Sequence, residues 1–443
     1  MPDNGNKTYP VRTLTVRNFS VIKEAKLEFG KITVLIGPQS SGKSLLCKLA
    51  YFLGREMIEL AIRSIVNADS FDAFSKAIVS QFVRRFATNS RLGGDAFVAF
   101  CAERYKIELS WHDLPENEEV RASFSPEFAD EYNALLTTYT LDSLGIGMQR
   151  QESQDNIRTS LNLLISDEFI LDTYYVPAGR AFFTNVSLGI NALRNPDLDP
   201  LVSEFATTIA WNTNRVTLSS ENAKRVLWEI LAKMVEIAGG HVEGTSDSPE
   251  FVTNDNRRLP FPLLSSGTQE LLPLFNVLGR LASDREKQVF FLETLGDIKP
   301  KRRPVWSKKL IYLEEPEAHI FPKTQYQLAQ LFAWFSSEPT QDFSWVITTH
   351  SPYILTAFNN LIEAGQVART KPELKDEVAK IIPEQYWIKE GDFKAYAIED
   401  GSLQSILNES GFIEGNYLDQ VSEVIGNEFD ELLRLEYDHT KAS

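Results

Sequence analysis

Cysteine is scarce: Cys47 and Cys101 are the only two in 443 residues. That is too few for a disulfide scaffold. Both stand among apolar neighbours, one in a predicted helix and one in a predicted strand, where buried free thiols in a reducing cytoplasm are the expected state. No run of about 18 apolar residues occurs, so no membrane-spanning helix is expected. The opening Met1–Lys7 is polar and lacks an apolar core segment, so no secretory signal is read there, and a cytoplasmic location is expected. No unit repeats with a period of about 20 to 50 residues, and no low-complexity tract occurs. Positive charge is in deficit, with 45 Lys and Arg against 61 Asp and Glu and a net charge of −16. A surface that grips nucleic acid all over is therefore disfavoured. The main basic cluster is Lys299-Pro300-Lys301-Arg302-Arg303-Pro304, followed by Lys308 and Lys309. Its two prolines read as a loop, either a solvated connection or a local contact for nucleic acid or an acidic partner.

What is present is globular. The apolar fraction of 43% and the charged fraction of 24% are ordinary for a folded chain, and the length allows two or three domains or one large core with insertions. The stretch Gly37-Pro38-Gln39-Ser40-Ser41-Gly42-Lys43-Ser44 has the spacing G-x-x-x-x-G-K-[ST]. Before it, Lys31–Ile36 is short, β-branched and bounded by Gly30 and Gly37, which reads as a buried strand. After it, Leu45–Leu53 has helical spacing, so the motif lies in the strand–loop–helix setting it needs. Glycines let backbone N–H groups turn onto a phosphate chain, and the helix N-terminus adds its dipole. Lys43 is expected to pair with the β- and γ-phosphates of ATP and Ser44 to ligate Mg²⁺.

Around this loop the pattern alternates between strand and helix. Thr13–Phe19 and Ala25–Phe29 read as strands, Gly54 to about Asn89 as helical, and Ala96–Phe100 with Tyr105–Trp111 as a hairpin. Pro126 to Asp167 reads as mostly helical and inserted. The core resumes with the strand Phe169–Pro177 and helices over Leu201–Thr208 and Ala223–Ile237, then a polar, turn-rich Gly244–Arg258. Tyr386–Glu399 reads as two short strands and Ile406–Tyr437 as helices.

Three further stretches carry chemistry. Leu310-Ile311-Tyr312-Leu313-Glu314-Glu315 is an apolar strand ending in two carboxylates, placed for the ligand crevice of a parallel sheet. Glu314 would face the magnesium shell and Glu315 polarise the attacking water. Trp345–Thr349 is another apolar strand, and His350 at its end is placed to reach a γ-phosphate. Leu264-Ser265-Ser266-Gly267-Thr268-Gln269-Glu270 opens a helix over Leu271–Arg280, offering hydroxyl and amide donors to an anion, though a plain helix cap reads the same way.

Together the four segments resemble the ATP-binding-cassette (ABC) branch of P-loop ATPases, and more narrowly the soluble branch that includes SMC, RecF and OLD proteins. Ser266-Gly267-Thr268-Gln269 resembles the signature S-G-x-Q, Leu310–Glu315 the Walker B strand and His350 the switch histidine. Leu14–Phe19 is similar to the opening of RecF and OLD proteins. Glu314–Pro322 and Tyr175-Val176-Pro177-Ala178-Gly179-Arg180 are similar to stretches of OLD-like ATPases from antiphage systems. The phosphate loop departs from relatives at Gln39 and Ser40, the metal carboxylate is a glutamate, and Gln81 is a candidate for the Q-loop glutamine.

The resemblance implies an α/β fold: an ABC-type core with a mixed sheet flanked by helices, an N-terminal antiparallel β part and helical insertions. Its parts would be residues 1–60 and 169–400 for the core, 61–168 for a helical and hairpin insertion, and 401–443 for a helical tail. It implies ATP sandwiched between two protomers, with Ser266, Gly267 and Gln269 of one completing the site of the other, and slow, regulatory hydrolysis. OLD proteins usually end in a Toprim nuclease with a D-x-D metal site, which is missing after His350; Asp197-Leu198-Asp199 reads as a turn. The chain thus resembles the ATPase subunits of two-component defence systems, those of PARIS more than those of Septu. A separate effector, expected to be a Toprim nuclease, and a phage-derived trigger protein or nucleic acid would be its partners. The alternative is a RecF-like clamp that binds DNA directly, supported by the basic cluster and opposed by the net charge.

Overall fold

The computed structural model describes residues 12–86, 95–112, 119–142, 150–165, 169–185, 199–209, 221–245, 248–283, 289–293, 301–338 and 343–415. Strands β1 (Arg12–Phe19), β2 (Ile22–Phe29) and β3 (Ile32–Ile36) lead into helix α1 (Lys43–Tyr51), a π-helical turn (Phe52–Glu56), α2 (Met57–Val66) and α3 (Phe71–Phe86). Next come β4 (Ala96–Cys101), β5 (Lys106–His112), β6 (Glu119–Phe124), α4 (Pro126–Asp142) and α5 (Arg150–Asn162). Then follow β7 (Phe169–Val176), α6 (Ala181–Asn185), α7 (Pro200–Thr208), α8 (Glu221–Ala238), β8 (Gly240–Thr245), β9 (Ser248–Thr253) and β10 (Arg258–Pro260). The remaining elements are α9 (Ser266–Ser283), β11 (Val289–Glu293), β12 (Lys301–Glu314), α10 (Pro322–Ser337), β13 (Phe343–Thr349), α11 (Pro352–Thr370), α12 (Lys375–Ile381), β14 (Phe393–Glu399) and β15 (Ser402–Ser405).

Twelve strands form one mixed sheet in the order β11-β12-β13-β3-β14-β15-β2-β1-β4-β5-β6, with β7 also paired to β12. Its centre is parallel, β7–β12–β13–β3–β14, and one flank is the antiparallel run β2–β1–β4–β5–β6. The central strands read as continuous apolar runs because both faces are covered. Val34, Ile311, Leu313 and Ile347 join the core built with α8 to α11, while Leu35, Leu310, Tyr312 and Val346 join the core built with α1 to α5. Successive side chains point to opposite faces, so each strand feeds both cores. Trp345 is fully buried and donates its indole N–H to Phe332 O at 3.1 Å; truncating a ring of that size typically costs about 3–5 kcal/mol.

The expected α/β class, antiparallel N-terminal part and flanking helices are all present. Several local expectations differ. Residues 96–124 extend the main sheet, since β4 lies beside β1 with Val98 opposite Val16, and β6, absent from the sequence reading, adds a further strand. The basic stretch is not a loop from Lys301 on: Lys301–Val305 pairs antiparallel with β11. Among the described residues β11 is its paired neighbour there, with β7 joining from Trp306 and β13 from Lys309, and a strand end bonded on one side tolerates Pro304. Lys299 and Pro300 lie outside the described residues.

The turn-rich Gly244–Arg258 belongs to a second, three-stranded sheet, β10-β9-β8. Its polarity is that of an exposed face, where Arg258 pairs with Glu243 at 2.7 Å and with Glu250 at 3.2 Å. Tyr386–Glu399 holds one strand, β14. After it the chain turns back as β15, and Leu407 bridges Ile413, where a helix was expected from Ile406. Asn359 of α11 holds this return on both sides, accepting from Ile413 N at 2.8 Å and donating to Ile413 O at 3.1 Å. The expected helices beyond residue 415, and Asp197-Leu198, lie outside the described residues. Cys47 is buried as expected, whereas Cys101 is half-buried, and both are free. Among the described residues no helix is long and apolar enough to cross a membrane.

Candidate functional site

The parallel strands end in register. Ile36 lies opposite Thr349, Thr348 opposite Glu314, and Leu313 opposite Val176. The segments that follow β3, β12, β13 and β7 therefore leave the same edge of the sheet side by side, and these carry the phosphate loop, Glu315, His350 and Pro177–Arg180. A parallel sheet puts its ligand crevice at this edge.

The phosphate loop takes its shape from glycine. Gly42 caps α1 with φ 106°, and Gly37 has φ 156°. A Cβ on Gly42 would come within 2.5 Å of Ile22 Cδ1, and one on Gly37 within 2.7 Å of Ile398 O. Neighbouring strands thus press on the loop from behind, while Pro38, Gln39 and Ser40 are exposed and Ser41 and Ser44 half-buried. Lys43 folds back on the loop. Its ammonium donates to Gly37 O at 2.8 Å and Pro38 O at 2.7 Å. Burial lowers its pKa, against the opposing pull of Glu315 and Glu317.

The carboxylates sit in contrasting settings. Glu314 is buried; its Oε1 accepts from Tyr175 Oη at 2.8 Å and its Oε2 from Ala178 N at 3.1 Å. Glu315 has the left-handed φ of 42°, its amide donates to Thr348 O at 2.9 Å, and its side chain is half-exposed. That backbone turn aims the side chain out of the strand, so the two neighbouring glutamates part ways: one faces protein donors, the other the crevice. Glu315 Oε1 lies 3.4 Å from His350 Nε2. The amide of His350 donates to Glu317 Oε1 at 2.5 Å, tying the loop after β13 to the acidic turn.

The turn before α9 is a helix cap in which Ser265, not Ser266, is the capping residue. Ser265 Oγ accepts from Thr268 N at 3.3 Å and shares a hydrogen bond with Thr268 Oγ1 at 2.9 Å. Ser266 is exposed. Gln269 donates to Leu264 O at 3.0 Å and to Phe261 O at 3.3 Å, bracing its own turn. Gly267 packs on the acidic turn, for a Cβ there would come within 2.8 Å of His319 O. Gln81 lies in α3, which packs on β6, α2 and α4.

Four residues at this edge had no role in the sequence reading: Tyr175, Ala178, Arg180 and Glu317. Arg180 is fully buried and donates to Glu314 O at 2.8 Å, Glu315 O at 3.2 Å and Glu270 O at 3.1 Å. The stretches Tyr175–Arg180 and Glu314–Pro322 stood out by resemblance, but a periodicity argument marks apolar faces and gives no sign that a charged side chain is buried.

Residues 194–355 match a family model described as an AAA ATPase domain. That stretch includes Ser266, Glu314, Glu315 and His350 and lies downstream of the phosphate loop. No curated protein matches the chain in sequence. Among solved structures, the chain is similar to an Smc head bound to the C-winged helix domain of ScpA, at 14% identity and TM-score 0.40 over 90% of this chain and 97% of that one. It is similar to the SMC head domain from Thermotoga maritima at 12% identity and TM-score 0.37, over 91% and 100% of the two chains. It is also similar to the ADP conformation of an ATP-binding cassette of an ABC transporter, at 11% identity and TM-score 0.34 over 94% and 99%. With its phosphate loop and its matched ATPase segment, the chain is an ATP-binding ATPase of the P-loop class.

Proposed function

We propose that the chain hydrolyses ATP at the end of its parallel sheet and uses the nucleotide to control how copies of itself are joined, in the manner of ABC-type ATPases. One observation carries the reading: Glu315 and His350, from two different strand ends, meet at 3.4 Å beside the loop that holds Lys43. The residues present fit a nucleotide and a magnesium ion. Backbone N–H groups between Gln39 and Ser44 would hold the phosphates, and Lys43 would exchange the carbonyls of Gly37 and Pro38 for β- and γ-phosphate oxygens. Among the described residues no group of three His, Cys, Asp or Glu side chains could hold a metal ion by itself. Ser44 and Glu314 would share Mg²⁺ with the phosphates, and the ion would supply charge neutralisation as the γ-phosphate departs. Glu315 orients the attacking water and accepts its proton as the oxygen bonds to γ-phosphorus and the electron pair of the breaking bond stays with ADP. His350 steadies that carboxylate and reaches the γ-phosphate.

Ser266, Gly267 and Gln269 would complete the site of a second protomer. The exposure of Ser266 at a helix N-terminus supports this. Hydrolysis is slow and regulatory, and the chain serves an antiphage system in which it holds a separate Toprim nuclease until a phage-derived protein or nucleic acid releases it. Two things support this finer reading: the likeness of Glu314–Pro322 and Tyr175–Arg180 to OLD-like defence ATPases, and a net charge of −16 suited to protein partners. The test is phosphate release and particle mass for the purified protein with Mg²⁺ and ATP, followed by co-purification with the product of the adjacent gene. Hydrolysis without such a complex would remove the scaffold role and keep the ATPase. ATP-dependent DNA binding with a steep salt slope would favour the RecF-like clamp.

A further inference from the structure

We propose that Arg180 is a positioning residue that couples the signature turn at the start of α9 to Glu315. The inference rests on the ABC-type reading above, and it adds the route by which engagement of that turn reaches the hydrolytic carboxylate within one protomer.

A guanidinium has five N–H donors in a rigid plane and costs several kcal/mol to bury unless they find acceptors. Arg180 has no exposed surface. Its Nε donates to Glu270 O at 3.1 Å and lies 3.6 Å from Glu270 Oε2, both on α9 just after its opening turn. Its Nη1 donates to Glu314 O at 2.8 Å and Pro177 O at 3.4 Å, and its Nη2 to Glu315 O at 3.2 Å. One plane thus bonds the signature helix on one side and two successive carbonyls of the acidic strand end on the other. Those carbonyls fix the peptide planes flanking Glu315, whose φ of 42° already makes its backbone sensitive to small rotations. Glu270 is buried, and its Oε2, which has no hydrogen-bond partner among the described residues, faces the guanidinium at 3.6 Å.

A second contact makes the linkage stiff. Thr184 Oγ1, one turn on from Arg180, donates to Gln269 O at 2.8 Å. Gly267 meets the acidic turn backbone to backbone at His319. A displacement of Ser266 and Gly267 by an anion would move Glu270 O with them, and the rigid guanidinium would carry that shift to the carbonyls of Glu314 and Glu315. A buried arginine that merely filled space would show no such dependence.

A double-mutant cycle on the full chain separates the two, with steady-state phosphate release at saturating Mg²⁺ and ATP as readout and binding of a fluorescent ATP analogue as control. Ser266→Ala and Arg180→Lys should each lower kcat about tenfold at saturating ATP, and Arg180→Lys should leave analogue affinity within about twofold. Together they should lose about tenfold, not about a hundredfold, because they cut one route. Tyr175→Phe touches Glu314 and not α9, so combined with Ser266→Ala its loss should multiply, which shows that the assay has not reached its floor. If Arg180→Lys fails to melt cooperatively, Glu270→Gln replaces it in the cycle. Multiplying losses for Ser266 and Arg180, or an unchanged kcat in Arg180→Lys, would overturn the proposal while leaving the ATPase reading intact. A Ser266→Ala variant with full kcat would instead remove the role of the signature turn, and the coupling with it.

Discussion

Tyr175 Oη donates to Glu314 Oε1 at 2.8 Å from a side chain with 5% of its surface exposed. Burial, with Glu314 adding to it, pushes the phenol well above its ordinary pKa, so it remains a neutral donor. Tyr175→Phe leaves one oxygen of a buried carboxylate without that donor. We expect a loss of about 1–3 kcal/mol in stability by urea titration. A supporting residue of this kind is typically worth about 10–100-fold in metal affinity or activity, so the Mg²⁺ dependence or kcat should worsen within that range. Wild-type values for both would contradict the support we assign to Tyr175.

Lys43 and Glu315 should fail differently. Lys43→Ala removes the phosphate partner and should weaken ATP binding and ATP-dependent association together. Glu315→Gln keeps the shape of the side chain and loses its basicity, so ATP should bind and the associated form accumulate. Light scattering with and without ATP distinguishes them; the same behaviour in both variants would refute the role given to Glu315.

Burial lowers the pKa of Lys43 from the ordinary 10.5, the cost of desolvation outweighing Glu315 and Glu317. The charged ammonium that a phosphate needs is present below the folded pKa and lost as pH rises through it. Affinity for ATP should therefore fall with rising pH before an ordinary lysine would titrate. Over the same interval the native state gives up this proton ahead of the unfolded chain, so this group's contribution to stability rises with pH, opposite in sign to the affinity. Affinity that stays level up to the ordinary lysine pKa would argue against Lys43 as the phosphate partner.

Gly42 has φ 106°, and a Cβ there would lie 2.5 Å from Ile22 Cδ1. Gly42→Ala meets backbone strain of about 1–3 kcal/mol before any clash is counted. We expect a lower melting temperature and weaker nucleotide binding, since the same glycine caps α1 and shapes the loop. Calorimetry and ATP-analogue titration would show both; an unperturbed variant would mean that β2 yields to the added methyl group.

The site's charged residues were legible for a local reason. Strand, glycine turn and helix follow one another within residues 32–51, and Glu314, Glu315 and His350 stand at the ends of apolar runs that read as buried strands. The same logic hid Arg180 and Glu317. Each follows a strand in a turn, where sequence pattern carries no periodicity, and their hydrogen-bond partners lie far off in the chain: Glu270 is 90 residues from Arg180, and His350 is 33 from Glu317.

The basic stretch and the tail misled for the opposite reason. Pro304 and the charges around it are loop-like in composition, yet pairing with β11 draws Lys301–Val305 into a strand, and β14 does the same for Ser402–Ser405. By itself the sequence determined the phosphate loop, the strand ends and the α/β alternation, because these follow from nearest-neighbour sterics and apolar period. Only the tertiary structure decided which backbone carbonyls a buried guanidinium would join, and so how α9 and the acidic strand end are held to one another. Finding acceptors for a buried guanidinium is a property of the packed whole and not of any stretch of chain.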